Sequence, residues 1–472
     1  MDEDLVDYAV ERMRALGASY AEARIEHTTR EGLLLKNGNP DAALTFHEEG
    51  MGMRALVNGG MAFASLDNLK REEVGAQAER CVRLARAAGR RARRWIELCE
   101  ESAHVHSYTV EQKEKLSAVP QEEKFALLFE VDRAATQDLP VPGRYLYMET
   151  LETEKYYANS ESSKIRSVIP RLYVQCMPTV VTNGQSAQAR LLYAAAAGWE
   201  WLEAAMLPER MAREVRVLYE SLTKSQSPPK EKVDLVVGPE VAGIAAHESC
   251  GHPYEADRIL GREAAQAGES FVRPKMLGER IGSEHVTIID DPTLPHSYGF
   301  YLYDDEGVSA RPRHLMLEGR INELLHNRET ARTLGMKRSN GSSRCSSYNR
   351  EPIVRMANTF VKLGDHSFEE LIEEIALGVY IKSFNEWNID DIRYNQKYVG
   401  REAYLIEKGE VKGMVKNPTI ELTTPGFWSA VDAVGNDLDF SIGTCGKGEP
   451  AQGVPVSMGG PHLRLRGIRL GG

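Results

Sequence analysis

The stretch HESCGHPYEAD, residues 247–257, brings two imidazoles and a carboxylate close together in the chain. Two histidines around a glutamate make the donor pattern of a helical metallopeptidase site, in which the imidazoles hold an ion and the carboxylate works as a base. The familiar spacing sets the histidines four apart, whereas His247 and His252 are five apart. Each residue of a regular α-helix advances about 100°, so residues five apart diverge by about 140° and could not share a tetrahedral ion. The local sequence does not describe a regular helix, however. Gly251 precedes the second histidine and Pro253 follows it, removing an N–H and clashing with the carbonyl of Ser249. A widened turn, with hydrogen bonds reaching five residues back, would return both imidazoles to one face. The same residues would also suit the polar end of a helix, where imidazolium complements the dipole. A catalytic zinc needs a third protein ligand and one open position; cysteine, histidine or a carboxylate could serve, and the motif alone does not choose.

The elements that must position these groups follow from periodicity. Residues 3–16 carry apolar positions at helical spacing and stop at Gly17, a C-cap residue. The runs YAEARIEHTT, GLLLKNGNP and GMGMRALVNGGMAFASL read as strands, with hairpin turns at Asn37-Gly38 and Asn58-Gly59. A second helix is expected from about Leu69 through Ala88, capped by Asp67 or Asn68. From about 105 to 205 the pattern is mainly strand, and a helix near 207–222 leads to the linker SQSPPKEK. Beyond it, VDLVV reads as a buried strand, Gly238-Pro239 as the entry to a helix, and EVAGIAAHESCGH as that helix. The remainder is strand-like, with one helix around HSFEELIEEIALGVY capped by His366 or Ser367. The fold class is therefore α+β: an N-terminal α+β domain with antiparallel sheet (1–100), a strand-rich middle region packed with it (101–225), and a C-terminal β-rich, barrel-like or sandwich domain (226–472) carrying the metal-binding helix.

Composition narrows the function classes. With 472 residues and a net charge of −11, nucleic acid and anionic membrane surfaces are repelled on average. The basic run at Arg90, Arg91, Arg93 and Arg94 reads as a solvated helix end. No stretch approaches the run of about eighteen apolar residues that a membrane span needs. The acidic start MDEDLVDYAVERM is unlike a signal peptide, so a cytoplasmic location is expected. Cysteines 81, 99, 176, 250, 345 and 445 are scattered, which argues for buried thiols and one or two ligands rather than a disulfide scaffold.

Taken in order, HESCGH with Glu255 and Asp257, then DDPTLPHSYGFYLYDDEGV, RMANTF and GNDLDFSIGTCGKGEPAQGVPVSMGGP resemble the C-terminal half of the TldD/PmbA family of metallopeptidases. GASYAEARIE, GMGMRALVNGGMAFAS and the helix after them resemble its N-terminal part, so the likeness runs nearly end to end. The resemblance implies a zinc ion held by His247, His252 and Cys445, with Glu248 as general base. The PmbA-type branch usually lacks the metal motif, so its presence points to the TldD branch. Cys445, between Gly443 and Gly446, can approach a metal closely because its neighbours are small. Cys250 lies three residues after His247 and is read as a packed thiol. His285, His296, His314 and His326 are read as surface or hydrogen-bonding residues.

The family likeness further implies a zinc-dependent peptidase acting on unfolded or short peptides inside a dimer, formed with an identical chain or a PmbA-type (TldE-like) paralogue. An extended peptide could add to a sheet edge beside the metal. The alternatives are a non-catalytic peptide-binding or scaffold subunit, and a structural zinc domain, for which a fourth protein ligand would be expected. This chain departs from the family at SFNEWNIDD, where relatives have a Gly-rich segment, and adds Cys345 in SRCSSYNREP. Arg355, Asn358, Asp304, Asp305 and Glu306 match family positions and are read as structural.

Overall fold

The computed structural model describes residues 1–262 and 269–471. Helix α1 (Glu3–Ala15) starts at Asp2, whose side chain accepts from the Leu5 N–H, and ends before Gly17 at φ +94°. Strands β1 (Tyr20–Lys36), β2 (Asn39–Val57) and β3 (Gly60–Leu66) follow as a meander. Both hairpin turns carry paired positive φ angles, +49° and +77° at Asn37-Gly38 and +49° and +74° at Asn58-Gly59. Such turns match the twist of the strands they join. Helix α2 (Arg71–Gly89) begins at an extended Lys70 with no side-chain cap, not at Asp67 or Asn68.

The first half continues through β4 (Val105–Thr109), α3 (Gln121–Thr136), β5 (Gly143–Asn159), β6 (Lys164–Thr182), β7 (Gln185–Gln188), β8 (Leu191–Ala195), α4 (Glu200–Ala205) and α5 (Leu207–Thr223). All eight strands share one sheet, ordered β3-β2-β1-β5-β6-β4 with β7 and β8 also on β6. Residues 1–100 and 101–225 thus meet through the antiparallel β1–β5 pairing. Strand β1 serves two cores: Ala21, Ala23 and Ile25 lie with α1 and α2, and Leu33 and Leu35 with α3 and α5. Helix α3 departs from the mainly-strand expectation for 105–205. Its apolar run FALLFEV fits a buried strand by hydrophobicity alone, but Leu128, Val131 and Ala135 recur at helical spacing and are buried on one face.

After SQSPPKEK, which carries no helix, come β9 (Lys232–Val237), α6 (Pro239–Ala246), β10 (Ile288–Asp290), β11 (Arg313–Leu317), β12 (Arg320–Ile321), β13 (Ser343–Arg344) and β14 (Ile353–Val354). Then follow β15 (Asn358–Val361), β16 (Leu377–Ile389), β17 (Asn395–Glu407), β18 (Glu410–Met414), β19 (Thr419–Thr423), β20 (Val431–Val434), β21 (Asp439–Lys447), β22 (Gln452–Gly460) and β23 (Leu463–Arg469). One sheet runs β12-β11-β10-β15-β22-β21, and a second runs β18-β17-β16-β9-β23-β20 with β19 on β17. The α+β class holds, and its C-terminal half is built from two large open sheets and the two-stranded β13–β14 pair rather than a closed barrel. The helix in HSFEELIEEIALGVY is short, Phe368–Ile372, capped by Ser367 in a capping box with Glu370, and LGVY opens β16. Among the described residues no helix is long and apolar enough to cross a membrane.

Helix α6 is wedged between the two C-terminal sheets. Every residue from Val241 to Ala246 is buried, in a core shared with Leu235 and Val237 of β9, Val379 and Ile381 of β16, and Val454 and Val456 of β22. Gly243 permits the closest approach, because a Cβ there would stand 2.6 Å from the Gly459 nitrogen on β22. Gly243→Ala is therefore expected to push α6 off β22 at a cost of about 1–3 kcal/mol. A lower urea midpoint than that of the wild type would show it, and an unchanged midpoint would contradict this packing.

Candidate metal centre

Helix α6 does not end at its last regular residue. It widens into a turn over His247–Gly251, and the His252 N–H donates to the carbonyl of His247, five residues back. Contacts from near and distant parts of the chain hold the widening. Ser249 donates its hydroxyl to the Ala245 carbonyl at 2.6 Å and accepts from the Trp428 indole at 2.9 Å. Gly251 faces Met356 so closely that a Cβ would fall 1.8 Å from its sulfur. The consequence is the one the spacing requires: the His247 and His252 rings lie 5.0 Å apart between centroids, at 81° to each other.

Cys445, on β21, meets them from a remote part of the chain. Its Sγ lies 3.4 Å from His252 Nε2. One donor atom from each of His247, His252 and Cys445 falls within 4.8 Å of the others, and all three residues are buried. A tetrahedral zinc with bonds of 2.0–2.3 Å holds its donors roughly 3.3–3.8 Å apart, so little movement would close the group around an ion. Burial lowers the pKa of both histidines and so favours the neutral imidazole that a metal takes. Burial alone would raise the Cys445 thiol, but His252 and Arg355 outweigh it and bring it down to about 7, toward the thiolate form. His247 Nδ1 is buried without a partner among the described residues. The residues present fit zinc.

Around the donors sits a set of buried charges. Glu255 Oε2 lies 3.1 Å from His252 Nδ1, which leaves Nε2 free to face the sulfur. The same carboxylate oxygen faces Arg258 Nε at 3.3 Å and Lys447 Nζ at 3.2 Å. Burial opposes its charge, yet Lys447, His252 and Arg258 hold Glu255 well below the usual carboxylate range. Lys447 also donates to Asp257 at 2.7 Å and to the Val354 carbonyl at 2.8 Å. Glu248 Oε2 accepts from Arg393 Nη1 at 2.6 Å. Burial raises the Glu248 pKa, against the pull of His247 and Arg393. His247, Glu248, His252, Cys445 and Arg393 line a cavity of about 1020 Å³ whose far walls include Tyr173 of β6, Glu214 of α5 and Trp387 of β16. Segment SFNEWNIDD, where the chain departs from the family, supplies the β16 wall from Ser383 to Trp387.

The remaining candidates contribute no donor atom to this group. Cys250 is fully buried in the C-terminal core. Arg355 donates to the carbonyls of Cys445 and Gln452. Asn358 ties the Gly299 and Ser457 amides to the Asp291 carbonyl. Asp304 accepts three backbone N–H groups, and Glu306 pairs with Arg54 at 2.6 Å. Glu26, Asp305 and Cys345 also cluster, but Arg24 and Lys155 already neutralise the two carboxylates. His285, His296 and His314 are exposed, whereas His326 is buried. Arg393 was not foreseen, because nothing local marks it. The tasks of Glu255 and Lys447 were not foreseen either, although both lie inside quoted motifs.

A buried histidine–histidine–thiol group beside a carboxylate, opening on a cleft, has the donors of a metal-dependent hydrolase. Comparison with known proteins gives the family. Family models match residues 21–89 as PmbA/TldA metallopeptidase domain 1, 114–219 as its central domain and 230–472 as its C-terminal domain. A metalloprotease of Methanothermobacter thermautotrophicus is 34% identical over 454 residues, covering 96% of this chain and 95% of that protein. A zinc metalloprotease TldD homolog of Saccharolobus solfataricus is 32% identical over 250 residues, 53% of this chain and 54% of that protein. The crystal structure of TldE from Thermococcus kodakarensis shares the fold at a TM-score of 0.73 and 17% identity, covering 100% of this chain and 99% of that one. This chain belongs to the PmbA/TldD metallopeptidase family.

Two measurements follow, one from the surroundings of the donors and one from a buried histidine outside them. Glu255→Gln keeps the shape but loses the charge behind His252, and is expected to weaken zinc binding about 10- to 100-fold in a chelator competition. His326 is buried, and burial lowers its pKa to about 4. Between that value and the ordinary 6.5 the unfolded chain binds a proton that the folded chain refuses. Stability is then unaffected by this group above pH 6.5 and falls as pH drops toward 4, by roughly 3 kcal/mol. Urea midpoints at pH 7 and pH 5 should differ less in His326→Gln than in the wild type.

Proposed function

We propose that this protein is a zinc-dependent peptidase that hydrolyses unfolded or short peptides. His247, His252 and Cys445 hold the metal, and Glu248 acts as general base. The convergence of three buried donor atoms within 4.8 Å carries this reading. Three protein ligands leave a fourth position open, as a catalytic rather than a structural site requires.

The chain's own residues divide the work. A zinc ion held there supplies Lewis acidity toward water and a peptide carbonyl. Glu255 fixes the His252 ring by accepting from Nδ1, so that Nε2 faces the metal. Glu248 takes a proton from the attacking water on a carboxylate oxygen and passes it to the leaving amine nitrogen. Its raised pKa suits both halves of that task. Strand β21 ends its sheet and lines the cavity from Asp439 to Gly446, so an extended peptide can add to its free edge beside Cys445. Main-chain pairing of this kind favours unfolded segments over folded proteins and reads little sequence.

The chain works as one subunit of a dimer, with an identical copy or a PmbA-type paralogue. None of its six cysteines is paired, as suits the reducing cytoplasm. The test is zinc content and hydrolysis of an unstructured protein by wild type and by Glu248→Gln. The variant should keep its zinc and lose cleavage about 10²- to 10⁴-fold. Equal cleavage by both would remove the general-base role.

A further inference from the structure

Arg393 is ion-paired with Glu248, and its geometry is unusual in two ways. It lies in the loop between β16 and β17 with φ +66°, a left-handed conformation that a bulky side chain seldom adopts. Strain of this sort persists only where the surroundings over-determine it. Here they do. The Arg393 N–H donates to the Asp390 carbonyl at 3.0 Å, and its own carbonyl accepts from Thr424 Oγ1 at 2.9 Å. Asp390 in turn accepts from the Tyr394 and Asn395 amides at 2.7 and 3.1 Å. The backbone is clamped so that the side chain turns inward.

The side chain is only half used. Nη1 donates to Glu248 at 2.6 Å, and the residue is 8% exposed. Nε has no acceptor among the described residues. Arg401 Nε, on the same cavity, also lacks a hydrogen-bond acceptor among the described residues, but it has the Glu214 carboxylate at 3.0 Å as an ion-pair partner. A buried donor without a partner is costly, so a native structure that keeps one calls for an explanation. A guanidinium is a rigid fork with donors on more than one edge, and it can hold one oxygen through Nη1 while offering Nε to another.

Building on the peptidase reading above, we propose that Arg393 is a further catalytic residue whose Nε–H donates to the carbonyl oxygen of the scissile peptide bond. As the water oxygen bonds to the carbonyl carbon, the π pair moves onto the carbonyl oxygen and the water's proton goes to Glu248. When that pair returns, the C–N bond breaks, and the amine nitrogen leaves with the proton from Glu248. The cation sits between the carboxylate that loses negative charge in the first step and the oxygen that gains it. Charge therefore shifts across a fixed donor without the donor having to move, which is how preorganised groups lower a barrier.

The test uses the full-length, zinc-loaded protein and its Arg393→Gln and Arg393→Lys variants. Zinc content is expected to stay at the wild-type level in both. With a terminally blocked unstructured peptide, kcat should fall about 100-fold in Arg393→Gln. KM should change by less than about threefold, the pattern of an interaction made mainly in the transition state. A phosphinic peptide that mimics the charged oxygen should bind at least about tenfold more weakly to Arg393→Gln, and the same loss should recur in a Glu248→Ala background. Arg393→Lys keeps a charge beside Glu248 but lacks the Nε donor, and should show the same direction in all three readouts.

Retained kcat in either variant would overturn the proposal. So would a loss borne by KM alone with substrates that carry a free carboxylate, which would make Arg393 a terminus-binding residue. Phosphinic-peptide weakening that vanishes without Glu248 would reduce Arg393 to a positioning residue. Glu248→Gln separates this test from the reading beneath it: cleavage retained there removes the peptidase base, whereas cleavage retained only in the Arg393 variants removes this proposal alone.

Discussion

One hydrogen bond sets the geometry on which the rest of the site depends: the His252 N–H reaching five residues back to the His247 carbonyl. Without that widened turn the imidazoles would diverge by about 140° and address different parts of the molecule. The turn is not free. His252 stays in the right-handed helical region with proline directly after it, a combination that proline disfavours. Tertiary contacts hold it in place, through Trp428 on the Ser249 hydroxyl and Met356 against Gly251. Helix α6, fixed between two sheets, supplies the rigid base from which the turn projects.

The second requirement is that β21 arrive in register. Cys445 and Lys447 are two apart on a strand and so point to the same side. The thiol meets His252, and the ammonium meets Glu255 and Asp257, eight and ten residues beyond His247. Burying these charges would be unfavourable singly, and together they satisfy one another only when strand and turn are correctly matched. The Lys447 contacts therefore act as a register pin for the sulfur. Glu255 links the two functions, because the carboxylate that receives Lys447 also orients the His252 ring.

The N-terminal half gives the site its enclosure. Its sheet and α5 supply the cavity wall opposite the donors. Buried pairs join the halves: Arg54 bridges Glu22 and Glu306, and Arg24 donates to backbone carbonyls at Ser347 and Tyr348. Glu248 and Arg393 are themselves buried on this cleft, so their ion pair is less screened than one in open water.

The sequence by itself determined whatever is governed by near neighbours. The hairpins at Asn37-Gly38 and Asn58-Gly59 and the end of α1 at Gly17 follow from local backbone chemistry. The widened turn that Gly251 and Pro253 suggest is held by Trp428 and Met356, and the structure chose Ser367 over His366 as the cap. Cys445 became a candidate through family resemblance, since 193 positions separate it from His252 and no periodicity spans that distance. Helix α3 was hidden because a continuous apolar run fits strand and helix equally until its packing partner is known. Only the tertiary structure decided that Arg393 would face Glu248 across 145 positions, and that Lys447 would lie against Asp257 across 190. Such pairs leave no trace in local pattern, because their energy comes from excluding water around both partners at once, and that happens only after the sheets have closed around them.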